Sequence, residues 1–122
     1  MTGYITRFAP SPTGNLHIGS ARTALINFIF KNQHPESKLY LRIEDTDKKR
    51  STKEFKNNII SGLKWLGIRW DDDPQIQSQN INRHLAIANN LLKNENAYKC
   101  ICTEDDLVDR RKKINSGEIN SK

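Results

Sequence analysis

Residues 7–20 read Arg-Phe-Ala-Pro-Ser-Pro-Thr-Gly-Asn-Leu-His-Ile-Gly-Ser, and their types suit the handling of a polyphosphate. Pro10, Pro12 and Gly14 break the chain into a loop, and His17 stands where a helix begins. Backbone N–H groups at a helix start, small residues and one imidazole form a ready anion site. There is neither a Gly-x-Gly-x-x-Gly run nor a Walker lysine, so this is no dinucleotide fingerprint and no P-loop. Arg7 precedes the loop, where its planar fork can clamp a carboxylate. A second group, Glu44, Asp45 and Asp47, is followed by Lys48, Lys49 and Arg50. Three acids so close suit a metal cluster or a helix-capping turn, and a cap accounts for one of them better than for three.

The flanking elements place both groups at one edge. Residues 4–8 form a β-rich run ended by Pro10 and Pro12, and residues 39–43 form a second strand. Between them Ile18, Ala21, Leu25, Phe28 and Ile29 fall at helical spacing until Pro35, with Ile26 and Phe30 broadening the stripe so that the helix is expected to bury more than one side. Ser51-Thr52-Lys53-Glu54 reads as a capping box opening a helix lined by Phe55, Ile59, Leu63 and Leu66 and stopped at Gly67. Strand–helix–strand–helix implies a right-handed crossover and a parallel sheet, with ligands outside the carboxyl ends of the strands. Further on, Asp71-Asp72-Asp73-Pro74 reads as a turn. Ile81, Leu85, Ala88 and Leu92 mark another helix, residues 98–102 a short strand, and Thr103-Glu104-Asp105-Asp106 the cap of a last charged helix fading near Gly117. The tail to Lys122 carries no closing element.

Composition narrows the class. The 122 residues carry a net charge of +6, 35% hydrophobic and 28% charged residues, and a pI near 9.5. That balance fits an anionic partner such as ATP or RNA, and fits a solvated lysine-rich surface equally well. No apolar run reaches the roughly 20 residues of a membrane helix, and no signal peptide opens the chain, so the expected location is the cytoplasm with no membrane partner. Cys100 and Cys102 are too few and too close for a secreted disulfide framework.

The loop, with His17-Ile18-Gly19-Ser20 at its end, resembles the first signature of the class I aminoacyl-tRNA synthetases. Arg-Phe-Ala-Pro-Ser-Pro-Thr-Gly and Arg42-Ile43-Glu44-Asp45-Thr46-Asp47 are similar to the glutamyl-tRNA synthetases in particular. The glutaminyl enzymes look different, with Pro-Pro-Glu-Pro-Asn-Gly in the loop and Arg-Phe-Asp-Asp-Thr-Asn in the acidic run. The resemblance spans residues 4–107 and implies the first half of a Rossmann-like nucleotide-binding fold over residues 1–75, α/β with a parallel sheet and flanking helices. Residues 76–122 would start the acceptor-binding insertion. It implies glutamate plus ATP giving glutamyl-adenylate, then transfer to tRNA(Glu), with the tRNA in place before activation, by a monomer. Arg7, Ala9, Ser11 and Glu44 would surround glutamate, Glu44 taking the α-ammonium and Arg7 the side-chain carboxylate. Thr13, Gly14, His17, Gly19 and Ser20 would meet ATP, which brings Mg²⁺ with it. His17 would donate to the α-phosphoryl group as charge builds there, a carboxylate needing no general base to attack. Ser20 stands where the family has a second histidine.

Asp47, Lys48, Lys49 and Arg50 would face the tRNA, and Trp65 and Trp70 read as packing a helix against the sheet rather than stacking on bases. The run Arg110-Arg111-Lys112-Lys113 reads as a solvated helix face. Cys100-Ile101-Cys102 resembles half of a zinc site in some bacterial relatives. Two ligands of the four that Zn²⁺ requires favour a pair of semi-buried thiols on a strand, unless further ligands lie beyond residue 122. No Lys-x-Ser-Lys lysine loop follows, and no anticodon-binding domain, so the chain reads as an N-terminal fragment inactive by itself. Two alternatives stay open: the paralogue that glutamylates queuosine in tRNA(Asp), and a non-catalytic ATP- or RNA-binding module.

Overall fold

The computed structural model describes residues 3–120; Met1, Thr2, Ser121 and Lys122, and with them the end of the tail, lie outside the described residues. The chain divides into two units, one closing at His84 and one running from Leu85. In the first, strand β1 (Ile5–Phe8), helix α1 (Ile18–Gln33), strand β2 (Lys38–Ile43), helix α2 (Lys53–Trp65) and strand β3 (Gln75–Ile76) follow one another, and a single 3₁₀ turn (Gln77–Asn80) closes the series. The sheet order is β1-β2-β3. Both pairs are parallel, with Arg7 beside Tyr40, Phe8 beside Leu41, and Ile43 beside Ile76. The βαβα order expected from the periodicities holds. Strand β3 was not anticipated, since two residues are too few to show an alternation.

Period-two patterning decides how β2 sits. Leu39, Leu41 and Ile43 are fully buried while Tyr40 and Arg42 on the opposite face are half-buried. Phe8, Ala24, Ile59, Leu63 and Ile68 close the core around them. Each of the larger side chains contributes about 1.5–3 kcal/mol by leaving water.

Helix α1 departs from expectation. Only Ala21 and Ala24 are buried, while Leu25, Ile26, Ile29 and Phe30 remain exposed. The two alanines allow close approach to the sheet, so the helix buries one narrow stripe instead of two sides. Helix α2 also starts one residue later than the expected capping box. Thr52 is the N-cap, its hydroxyl accepting from Phe55 N at 3.1 Å, so Glu54 falls at the second helical position and cannot reciprocate. Gly67 ends it with φ +75°, the left-handed conformation a helix stop requires. Leu66 lies off the buried face, and Trp65 is 86% exposed. Trp70 packs against the core as expected.

The second unit is entered along helix α3 (Ile81–Lys93) and contains helix α4 (Glu104–Asn115). Thr103 and Asp106 cap α4 reciprocally: Asp106 N donates to Thr103 Oγ1 at 3.2 Å and Thr103 N donates to Asp106 Oδ2 at 2.7 Å. The strand expected at residues 98–102 does not form. Among the described residues no ladder partner faces that run, and Tyr98 and Ile101 are exposed. From Leu85 to Asn120 no described residue is buried. Among the described residues, no helix is long and apolar enough to cross a membrane.

Candidate functional site

The loop after β1 is strapped down at three points, by two backbone–backbone bonds and one from a backbone N–H to a side chain. Glu44 N donates to Pro10 O at 2.9 Å and Thr52 N to Pro12 O at 3.2 Å, and Leu16 N donates to Asn58 Oδ1 at 2.9 Å. These tie residues 10–16 to the end of β2 and to both the start and the middle of α2, so the two chemically distinctive segments share the carboxyl edge of the sheet. Pro12 is buried beneath them. A cavity of about 190 Å³ opens at the loop, lined by Ser11, Thr13, Gly14, His17 and Ser20 among others.

Outside the lining of that cavity, at the end of β2, a pair of arginines meets one carboxylate, and Arg42 lines a separate cleft with Gln75, Gln77 and Arg83. Arg42 places Nε at 3.2 Å and Nη2 at 2.5 Å from Glu44 Oε1, and Arg7 Nη1 lies 3.6 Å from the same oxygen. Arg7 remains 47% exposed and Glu44 30%. This leaves guanidinium edges and a carboxylate oxygen for a ligand that carries both charges. Ala9 is half-buried between Phe8 and Pro10, and Ser11 is exposed.

His17 is the N-cap of α1 with no side-chain cap bond, and its ring is exposed. A Cβ at Gly19 would stand 3.1 Å from the imidazole, so glycine there leaves the ring room over the first helical turn. Ser20 Oγ donates to His17 O at 3.1 Å, a local bond that a second imidazole could not copy in the same way.

The acidic run does not converge. Glu44 is held by the arginines. Asp45 Oδ1 and Oδ2 accept from Ser78 N and Oγ at 2.9 and 2.6 Å. Partial burial pushes the Asp45 carboxyl up, but those two hydrogen bonds, with the Lys56 charge, outweigh it and hold it below its ordinary value. Asp47 accepts from Arg50 Nε at 2.6 Å and from the N–H groups of Lys49 and Arg50. Chiefly through Arg50, its carboxyl too is held below the usual range. Lys48, Lys49 and Arg50 are all exposed. Each acid thus has its own donor, which favours the turn over the metal cluster.

Cys100 and Cys102 are free and exposed rather than semi-buried on a strand. They interact with each other: hydrogen bonding from Cys102 draws the Cys100 thiol down, and Cys100 pushes that of Cys102 up. Among the described residues no three or more His, Cys, Asp or Glu are grouped to hold a metal, so the thiol pair alone does not complete a zinc set.

These segments match a family model described as tRNA synthetases class I (E and Q), catalytic domain, over residues 4–122. The chain belongs to that family. It is 54% identical over 103 residues to glutamate–tRNA ligase 2 of Ehrlichia chaffeensis, an alignment covering 84% of this chain and 22% of the relative. It is 51% identical over 119 residues to the glutamate–tRNA ligase of Pelagibacter ubique, covering 98% and 25%. Among solved structures, the glutamate tRNA ligase of Elizabethkingia meningosepticum in complex with its amino acid is similar at TM-score 0.78 and 31% identity, and the glutamate-tRNA synthetase of Elizabethkingia anophelis at TM-score 0.80 and 31%. Each of those alignments covers 96% of this chain and 25% of the other. The chain thus spans about a quarter of the length of these synthetases and shares their α/β fold over that span.

Sequence reasoning assigned no role in the site to Arg42, Asn58 or Ser78. Arg42 was findable, because residues two apart on a strand share a face and Glu44 follows at that spacing. Nothing local signals that Asn58 or Ser78 reaches the strand ends.

Proposed function

We propose that this segment builds the glutamate subsite and the first half of the ATP subsite of a glutamate–tRNA ligase. The observation that carries the reading is the backbone bond joining Pro10 to Glu44, which sets the Arg7 guanidinium, the Glu44 carboxylate and the loop leading to His17 at one sheet edge. Arg7 takes the side-chain carboxylate of glutamate, Glu44 its α-ammonium, and Ala9 and Ser11 the flanks. Arg42 fixes Glu44 for that task.

Thr13, Gly14, Gly19 and Ser20 border ATP, which carries its own Mg²⁺. The free α-carboxylate of glutamate attacks the α-phosphorus. The bond to the pyrophosphate oxygen breaks, and pyrophosphate leaves glutamyl-adenylate behind. Charge gathering on the phosphoryl oxygens is met by the His17 imidazole and the N-terminal N–H groups of α1, which bind it more tightly than the ground state. A ribose hydroxyl at the 3′ end of tRNA(Glu) then attacks the acyl carbon, the acyl–phosphate bond breaks and AMP leaves; Lys48 and Lys49, both exposed, are assigned to contact that RNA.

Pyrophosphate exchange in the synthetase carrying this segment, with tRNA(Glu) present, tests the reading. Exchange should require glutamate, discriminate against glutamine, and collapse in Arg7→Ala and His17→Ala. Exchange that survives both changes, or that runs as well on glutamine, would overturn it.

A further inference from the structure

The basic run Lys48-Lys49-Arg50 looks uniform in sequence, yet the fold splits it. Arg50 is engaged by Asp47, whereas Lys48 lines a cleft of about 410 Å³ together with Lys53 and Lys56 from α2. Ser51 and Thr52 lie between them in the same lining. Pro12 belongs to this cleft and its neighbours Ser11 and Thr13 to the cavity beside His17, so one loop divides the two.

Three features of the cleft favour an anion. First, its charged lining is three lysines against Asp45, and both oxygens of that carboxylate already accept from Ser78. Second, α2 is a full 13-residue helix whose first N–H groups have no intrahelical partner. Thr52 N is taken by Pro12 O and Phe55 N by Thr52 Oγ1, which leaves those of Lys53 and Glu54. Third, Ser51 Oγ is buried with no hydrogen-bond partner among the described residues, an unmet polar group of the kind a ligand or water must satisfy. No lining residue is aromatic or apolar apart from Pro12, so a nucleobase would find nothing to stack on. Lysines on flexible stems suit a phosphate as point charges rather than a planar carboxylate.

We propose that this cleft binds a phosphate group and that its source is the backbone of the RNA substrate. Lys48, Lys53 and Lys56 neutralise it, and the start of α2 donates to it. Such a contact sets the position of the strand without reading its sequence. The proposal rests on the glutamate–tRNA ligase reading only for the source of the phosphate.

Backbone amide NMR on the 122-residue chain tests it, with inorganic phosphate, a short RNA stem bearing a single-stranded 3′ tail, and glutamate as separate probes. The RNA should shift the amides of Ser51, Lys53 and Glu54. Lys53→Gln with Lys56→Gln should weaken RNA binding about tenfold and flatten the dependence of log K on log salt by one to two. The charge-matched pair Lys64→Gln with Lys99→Gln should leave binding within about twofold of the parent, since neither lines the cleft. Equal losses in both pairs, or RNA shifts elsewhere than α2, overturn the proposal. Shifts at these amides by inorganic phosphate but not by RNA overturn the RNA source. The amide map of the unaltered chain decides the matter even if the double variant fails to fold. Glutamate shifts near Arg7 and Glu44 report separately on the ligase reading.

Discussion

Arg42 and Glu44 meet on a single carboxylate oxygen, with the guanidinium Nε and Nη2 at 3.2 and 2.5 Å from Oε1. They lie two positions apart at the end of β2, so the pleat sends both to the same side. Arg7 from the neighbouring strand reaches the same oxygen at 3.6 Å. One carboxylate is thereby aimed by two cations, and its second oxygen is left for a ligand.

Removing Arg42 should therefore act on binding more than on folding. Glutamate affinity of Arg42→Ala is expected to fall about tenfold. Its unfolding free energy should change by less than about 1 kcal/mol, as for other half-exposed ion pairs. Glu44→Gln, which removes the charge proposed to face the α-ammonium, should lose about ten- to a hundredfold, the worth of one charged hydrogen bond. Calorimetric titration with glutamate measures both; an unchanged affinity in Glu44→Gln would exclude the assigned role.

His17→Ala should lower the pyrophosphate-exchange rate of the synthetase about 100-fold or more, the scale for one donor to a developing anion, with glutamate binding unchanged. Gly19→Ala is subtler. Its Cβ would crowd the imidazole at 3.1 Å, so the exposed ring must shift by a few tenths of an ångström. Exchange should fall while helix stability stays level or rises by up to about 1 kcal/mol. A Gly19→Ala enzyme with full activity would show that ring placement is not critical.

Acid should loosen the edge of the site in a defined window. Asp45 and Asp47 are both held below their ordinary value of 3.8. A carboxyl lowered in the folded state adds stability that is fully present above its unfolded value and is lost as pH falls through the folded one. Melting temperature should thus be level above about pH 5 and decline below about pH 4. Asp45→Asn should start lower and decline less. Thermal melts from pH 6 to 2.5 check this, and parallel curves for parent and variant would argue against it.

Two changes on α2 should separate core from loop. Leu63, 1% exposed, should cost about 2–5 kcal/mol as Leu63→Ala. Asn58→Ala removes the acceptor for Leu16 N and should cost only about 0.5–1.5 kcal/mol. It should nonetheless slow exchange, because Leu16 leads into His17. Urea unfolding followed by the exchange assay distinguishes them.

Much of this was legible without coordinates. The alternation of Leu39, Leu41 and Ile43, the stop at Gly67 and the box at Thr103 are each written within a few residues, where backbone geometry is local. Where reading failed, the competing term was tertiary. Residues 98–102 have strand-like composition but, among the described residues, no ladder to join, and the apolar residues of α1 follow helical spacing whether or not a neighbour covers them. At Ser51-Thr52 two capping hydroxyls stand side by side, and the bond from Thr52 N to Pro12 O accompanies the choice of the second.

The amino-acid sequence by itself determined the family, the order of elements and the chemistry of the loop from Arg7 to Ser20, because residue type, turn formation and helix phase are properties of adjacent positions. Only the tertiary structure decided that Glu44 is shared by two arginines, that Asp45 answers to Ser78 across 33 residues, and that Lys48 parts company from Arg50 to face Lys53 and Lys56. Those pairings depend on how the strands close against one another, and short-range periodicity carries no record of that closure.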